Sequence, residues 1–144
     1  MQINLETDYA VRIVDCLARE GGRLDAGEIS ARTGVTTGFS LKILRKLAGA
    51  EIVKSFRGAK GGYVLARHPE EITLKEVIEV IGGPIAIAKC QCEGYVCDHP
   101  GDSACAFHHV FREITQELSD RLEGVTFASF PQANASGETG EQSF

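Results

Sequence analysis

Residues 25–66, DAGEISARTGVTTGFSLKILRKLAGAEIVKSFRGAKGGYVLA, decide the fold. Asp25 stands three residues before Glu28, the spacing of a capping box, and Gly34 suits a left-handed helix stop. A short helix therefore covers 25–33. After the turn Gly34-Val35-Thr36 a further helix is expected over about 37–49, with Phe39, Ile43, Leu44 and Leu47 as its buried side. Lys42, Arg45 and Lys46 recur at i, i+3 and i+4 and share one face. Short helix, tight turn and basic helix make the helix-turn-helix pattern. Taken alone, such a pair also occurs in helical proteins whose basic face is merely solvated. The residues that follow add the distinguishing feature. Ile52 to Phe56 have strand character, Arg57-Gly58-Ala59-Lys60-Gly61-Gly62 is a turn rich in glycine and positive charge, and Tyr63 to Ala66 can return as a second strand. A hairpin after a helix-turn-helix is a wing. Its glycines let the backbone approach a phosphate or enter a minor groove, and Arg57 and Lys60 carry charge to its tip.

On the N-terminal side, residues 5–20 read as an amphipathic helix with Ala10, Ile13, Val14, Leu17 and Ala18 in its apolar stripe, ended by Gly21-Gly22. Cys16 lies near the stripe and reads as a small core residue. Glu6 and Asp8 fall in the first turn, where acids complement the helix dipole. On the C-terminal side, Thr73 caps a helix with Glu76 at the capping-box position, and Gly82-Gly83-Pro84 breaks it. Then comes CQCEGYVCDHPGDSACAFHH, Cys90 to His109, which holds four of the five cysteines and three of the four histidines. Its glycines, proline and lack of hydrophobic period make it a loop. From Ala104 to Gly124 a long helix is expected, with Phe107, Val110, Phe111, Ile114, Leu118, Leu122 and Val125 at spacings of three and four. A symmetric partner helix is the simplest cover for that stripe, with the chain's own first helix as the other candidate. Residues 128–144 are small, polar and aperiodic and are expected to be disordered.

Charge divides the chain. Residues 1–70 carry eleven Lys/Arg against eight Asp/Glu, and residues 71–144 carry four against twelve. From Thr36 to Arg67 there are seven basic residues and one acid, Glu51. A local basic patch in a chain of net charge -5 points to nucleic acid as the partner of this half. No apolar run approaches the roughly 20 residues that span a bilayer, and the N-terminus has no basic segment before an apolar core. The expected location is the cytoplasm, without membrane contact. Thiols stay reduced there, so the cysteines point to metal or redox chemistry. Soft thiolates suit an iron–sulfur cluster or zinc. There is no nucleophile–base constellation and no phosphate loop, which argues against an enzyme.

Four places together resemble the Rrf2 family of bacterial winged-helix regulators, which includes the IscR and NsrR types. They are Thr7-Asp8-Tyr9-Ala10-Val11-Arg12, the wing Arg57 to Ala66, Ile72-Thr73-Leu74-Lys75-Glu76-Val77-Ile78, and the cysteine loop leading into a long helix. The resemblance runs from about residue 3 to residue 125. It implies a mostly α fold: a winged helix-turn-helix DNA-binding domain over 1–70, a connector helix over 71–83, a cluster-binding loop over 84–103 and a dimerisation helix over 104–127. It implies a homodimeric transcription factor on a palindromic operator in double-stranded DNA. Its affinity would depend on a [2Fe-2S] or [4Fe-4S] cluster that senses redox, nitric oxide or iron–sulfur status. By that resemblance Cys92, Cys97 and Cys105 are the thiolate ligands, with Cys90 an alternative start to the set. The fourth ligand is His108, as in the IscR type, or Asp8 from the partner, as in the NsrR type. His99 and His109 read as surface residues. Thr36, Thr37, Lys42, Arg45 and Lys46 are expected on DNA from the recognition helix, and Arg57 and Lys60 from the wing. Two alternatives stay open: a zinc-stabilised binder, and a regulator switched by a thiol–disulfide couple.

Overall fold

A computed structural model of the chain describes residues 3–98 and 105–130. Helix α1 spans Leu5–Glu20. The Asn4 side chain accepts from the Thr7 amide at 2.8 Å to start it, and Gly21 stops it at φ 66°. Thr7, Ala10, Ile13, Val14 and Leu17 are buried, the spacing of one helix face. Helix α2, Ala26–Thr33, opens with the reciprocal box of Asp25 and Glu28, each side chain accepting from the other's amide at 2.8 Å. Gly34 closes it in the left-handed conformation that a side chain would strain.

Helix α3 spans Thr37–Gly49, and the side chain of its N-cap Thr36 accepts from the Phe39 amide. Its buried residues are Ser40, Ile43, Leu44 and Leu47. Phe39, expected among them, is 47% exposed and meets the Tyr9 ring edge-on with centroids 5.9 Å apart. Position 40 precedes 43, 44 and 47 by three, four and seven, so it takes the inward place at that turn. The small Ser40 fills it, its hydroxyl 3.5 Å from the Val35 carbonyl.

Glu51, at φ 58°, turns the chain out of α3. Strands β1, Val53–Phe56, and β2, Gly62–Leu65, then pair antiparallel, with Val53 opposite Leu65 and Phe56 opposite Gly62. Tyr63 also exchanges both backbone hydrogen bonds with Leu24, at 2.7 and 3.1 Å, which joins the hairpin to the segment before α2. A Cβ on Gly62 would stand 2.8 Å from the Leu24 carbonyl oxygen, and one on Gly61 would stand 2.8 Å from that of Gly58. These two glycines are therefore required by the wing's own turn and docking, before any contact with a phosphate.

Helix α4 spans Leu74–Gly82 and packs on α1. The Thr73 hydroxyl accepts from the Glu76 amide at 3.1 Å, as the spacing suggests. The Glu76 carboxylate pairs with Arg67. After a 3-10 turn at Lys89–Gln91 comes helix α5, Ala106–Glu123, which has no buried residue. Leu118 and Leu122 are half-buried, while Phe107, Val110, Phe111 and Ile114 are exposed. Val125, expected in the helical stripe, lies beyond the helix. Its carbonyl accepts from the Leu74 amide at 2.8 Å, and the Phe127 amide donates to the Ile72 carbonyl at 3.2 Å. Phe127 enters the same core as Ile13, Ile29, Leu44 and Ile72. The helix is thus tied to the winged core at its C-terminal end. Among the described residues no helix is long and apolar enough to cross a membrane. Residues 131–144 of the expected tail and 99–103 of the expected loop lie outside the described residues.

Candidate functional site

The basic face is built by α3 and the wing. Thr36 and Thr37 are exposed at the N-terminal end of α3, with the Thr36 hydroxyl engaged by the Phe39 amide at 3.4 Å. Lys42, Arg45 and Lys46 are exposed along the helix. Two of them are not free cations. The Lys46 ammonium lies 2.7 Å from Glu6 Oε1, and the Lys42 ammonium 3.5 Å from the same oxygen. The hydrogen bond from Lys46 holds the Glu6 carboxyl below the usual carboxylate range. Among the described residues Arg45, Lys54, Arg57 and Lys60 form no ion pair.

Arg57 and Lys60 are exposed at the wing's tip. Arg23, which sequence reading passed over, aims this tip. Its guanidinium lies 3.8 Å over the Phe56 ring and donates to the Lys60 carbonyl. The contact joins residues 37 apart, and no local spacing announces it.

The cysteine loop begins on the Lys89–Gln91 turn. The Gln91 side-chain oxygen accepts from the Ile87 amide at 3.2 Å, the Ala88 amide at 3.3 Å and the Thr115 hydroxyl at 2.8 Å. This clasp fixes the start of the loop against α5. On one side of it Cys90 is half-buried, and its sulfur lies 3.5 Å from His108 Nδ1. On the other side Cys92 is exposed, as is Cys97. Cys105 is half-buried at the N-cap of α5. All five cysteines are free thiols. Cys16 is half-buried on α1, where burial pushes its thiol up. Asp8 pairs with Arg12 at 2.7 Å. His109 is exposed beside Arg112, and His99 lies outside the described residues.

Among the described residues no three His, Cys, Asp or Glu side chains converge as a metal site. The structure does bring Cys90 and His108 together. As donors, the thiols of the loop and of the α5 N-cap together with an imidazole of α5 fit a cluster or zinc.

The model of the Rrf2 family, described as iron-dependent transcriptional regulator, matches residues 3–132. The chain belongs to the Rrf2 family. Similar sequences include Protein aau3 of Rhizobium meliloti, 33% identical over 134 residues that cover 92% of this chain and 86% of that one. The HTH-type transcriptional regulator IscR of Sodalis glossinidius is 28% identical over 134 residues, covering 89% and 77% of the two chains. Among solved structures, CymR, the global cysteine regulator of B. subtilis, superposes with a TM-score of 0.74 at 26% identity, over 89% of this chain and 94% of CymR. Membership in the Rrf2 family makes this chain a DNA-binding transcriptional regulator and not an enzyme. The winged fold agrees with the expectation drawn from residues 25–66, and the family agrees with the resemblance carried by the four stretches between about residues 3 and 125.

Proposed function

We propose that this Rrf2-family regulator works in the cytoplasm as a homodimer whose DNA affinity is set by an iron–sulfur cluster held by the Cys90–His109 stretch. The observation that carries the reading is where the thiols lie. They sit between a clasped turn and α5, with a thiol and an imidazole already in contact at 3.5 Å. The description of the family model and the likeness to IscR support the same centre. Cys92, Cys97 and Cys105 would hold the group, with the fourth position taken by His108 or by Asp8 of a second copy. Cys90 is the competing start to the thiol set. When bound, the cluster supplies a redox-active centre that oxygen, nitric oxide or iron shortage can disrupt.

The chain's own residues give that centre a route to DNA. The Gln91–Thr115 clasp joins the start of the loop to α5. Phe107, Val110, Phe111 and Ile114 offer α5 an apolar face for the same helix of a second copy. Ordering the loop would then bias how the two copies sit. Thr36, Thr37, Lys42, Arg45 and Lys46 would enter the major groove, and Arg57 and Lys60 would flank the minor groove. Half-sites lie about one DNA turn, roughly 34 Å, apart, so a small rotation between copies changes affinity.

The test is anaerobic purification followed by visible spectroscopy and DNA titration. Cys97→Ala and Cys105→Ala should each abolish the brown chromophore and alter DNA affinity. Unchanged absorbance in both would sink the reading. Cys90→Ser beside Cys92→Ser decides which of that pair is a ligand. A second reading is favoured by the exposed Cys92 and Cys97 and by the likeness to CymR: a regulator switched by its thiols or stabilised by zinc, with no cluster. Metal analysis and mass spectrometry of oxidised protein separate it from the first.

A further inference from the structure

We infer that Glu6 is a positioning residue that restrains Lys42 and Lys46 of α3 and so lowers the protein's attraction to DNA of any sequence. The inference rests on the reading of α3 as the DNA-facing helix and is independent of any cluster.

Glu6 lies in the first turn of α1, forty residues from Lys46, so their contact depends on the packing of α1 against α3. The Tyr9–Phe39 ring contact lies one helical turn further along α1 and fixes the two helices in register there. One carboxylate oxygen faces both ammonium groups, at 2.7 and 3.5 Å. The glutamate side chain keeps only 24% of its exposure, against 41% and 56% for the lysines, so it is the better-fixed member of the group. The neighbouring acid behaves differently, since Asp8 bonds Arg12 on its own helix.

The effect on the basic face is large for one residue. Of the three cations on α3, Glu6 engages two and leaves Arg45 unpaired among the described residues. A DNA phosphate presents the same kind of oxyanion to the same ammonium groups. It must displace Glu6 or share the lysines with it. Non-specific binding rests almost entirely on such phosphate contacts, whereas specific binding also gains from base edges. A fixed internal carboxylate therefore lowers this phosphate-driven attraction whatever the sequence of the DNA.

The probe is a labelled duplex of mixed sequence, titrated with the full chain over a series of salt concentrations. Glu6→Gln is expected to raise affinity by about two- to fivefold, the range an exposed ion pair allows, and to steepen the dependence of log K on log salt by about one. Adding Lys46→Ala to Glu6→Gln should remove that gain, whereas Lys46→Ala alone should flatten the slope by less than one. Glu117→Gln makes the same change in net charge on α5, which rests on α4 and the Lys89–Gln91 turn, and should leave the slope unchanged. Unchanged or weakened binding by Glu6→Gln overturns the inference, and so does an equal gain from Glu117→Gln. Arg45→Ala assigns the failure. If it weakens binding while Glu6→Gln is neutral, the role of Glu6 is wrong. If it too has no effect, α3 is not the DNA-facing helix.

Discussion

Helix α3 buries Ile43, Leu44 and Leu47 completely, whereas α5, the longer helix, buries none of its residues. Both helices carry an apolar stripe at helical spacing. The difference lies in what surrounds them. Helix α3 is enclosed by α1, α2, α4 and β1. Helix α5 rests on α4 and the Lys89–Gln91 turn, and leaves Phe107 69% and Val110 49% exposed. The winged half is fully packed within one chain. The C-terminal half ends in an exposed apolar face and a set of thiols of which one touches an imidazole. The proposed second copy would cover the apolar face, and the proposed cluster would order the loop that carries the thiols.

The largest test of this contrast is in stability. Leu44→Ala should cost about 2–5 kcal/mol of unfolding free energy, since it opens a cavity in a close-packed core. Ile114→Ala, measured by urea unfolding at concentrations where the chain is monomeric, should shift the midpoint little. Equal losses would mean that α5 is as well covered as α3. Next comes association. Phe111→Asp should weaken the proposed dimer by about thirtyfold or more, the scale of a hot-spot residue, in sedimentation equilibrium. It should spare the monomer's thermal midpoint. An unchanged association constant would move the interface elsewhere.

The cysteines extend the comparison to chemistry. The thiolate is the reactive form, and burial raises the Cys16 thiol above its ordinary range. At a given pH Cys16 is therefore less ionised, and its alkylation should lag behind that of the exposed Cys92 and Cys97 in metal-free protein. The lag should narrow as pH rises. Mass-resolved labelling that found Cys16 first would contradict its place in the core. The smallest expected effect is on the wing. Arg57→Ala should flatten the salt dependence of DNA binding by about one unit, as loss of one phosphate contact does. An unchanged slope would take Arg57 off the DNA.

The residues that sequence reading placed well are those governed by near neighbours. The Asp25–Glu28 box, the Gly21 and Gly34 stops and the burial of Ile43, Leu44 and Leu47 all follow from spacing within a turn or two. Reading failed where partners are distant in the chain. Arg23 and the wing's tip, Glu6 and the α3 lysines, and Gln91 and Thr115 meet across 37, 40 and 24 residues. Phe39 faces outward although its spacing from Ile43 fits the stripe, because Ser40 holds the inward position. Val125 continued the period of α5, yet its carbonyl is taken by Leu74, and the helix ends before it. At the loop, spacing named four thiols and could not rank them. The clasp at Gln91 separates a half-buried Cys90 beside His108 from an exposed Cys92, a distinction that exists only once the turn is docked on α5.

The proposal that the cysteines of this half hold an iron–sulfur cluster is tested most directly by iron and acid-labile sulfide analysis of anaerobically purified protein, run beside Cys97→Ala. The expected result is iron and sulfide together with a brown chromophore, and loss of all three in the variant. Colourless protein containing zinc or no metal, with DNA affinity unchanged by Cys97→Ala, would contradict the account.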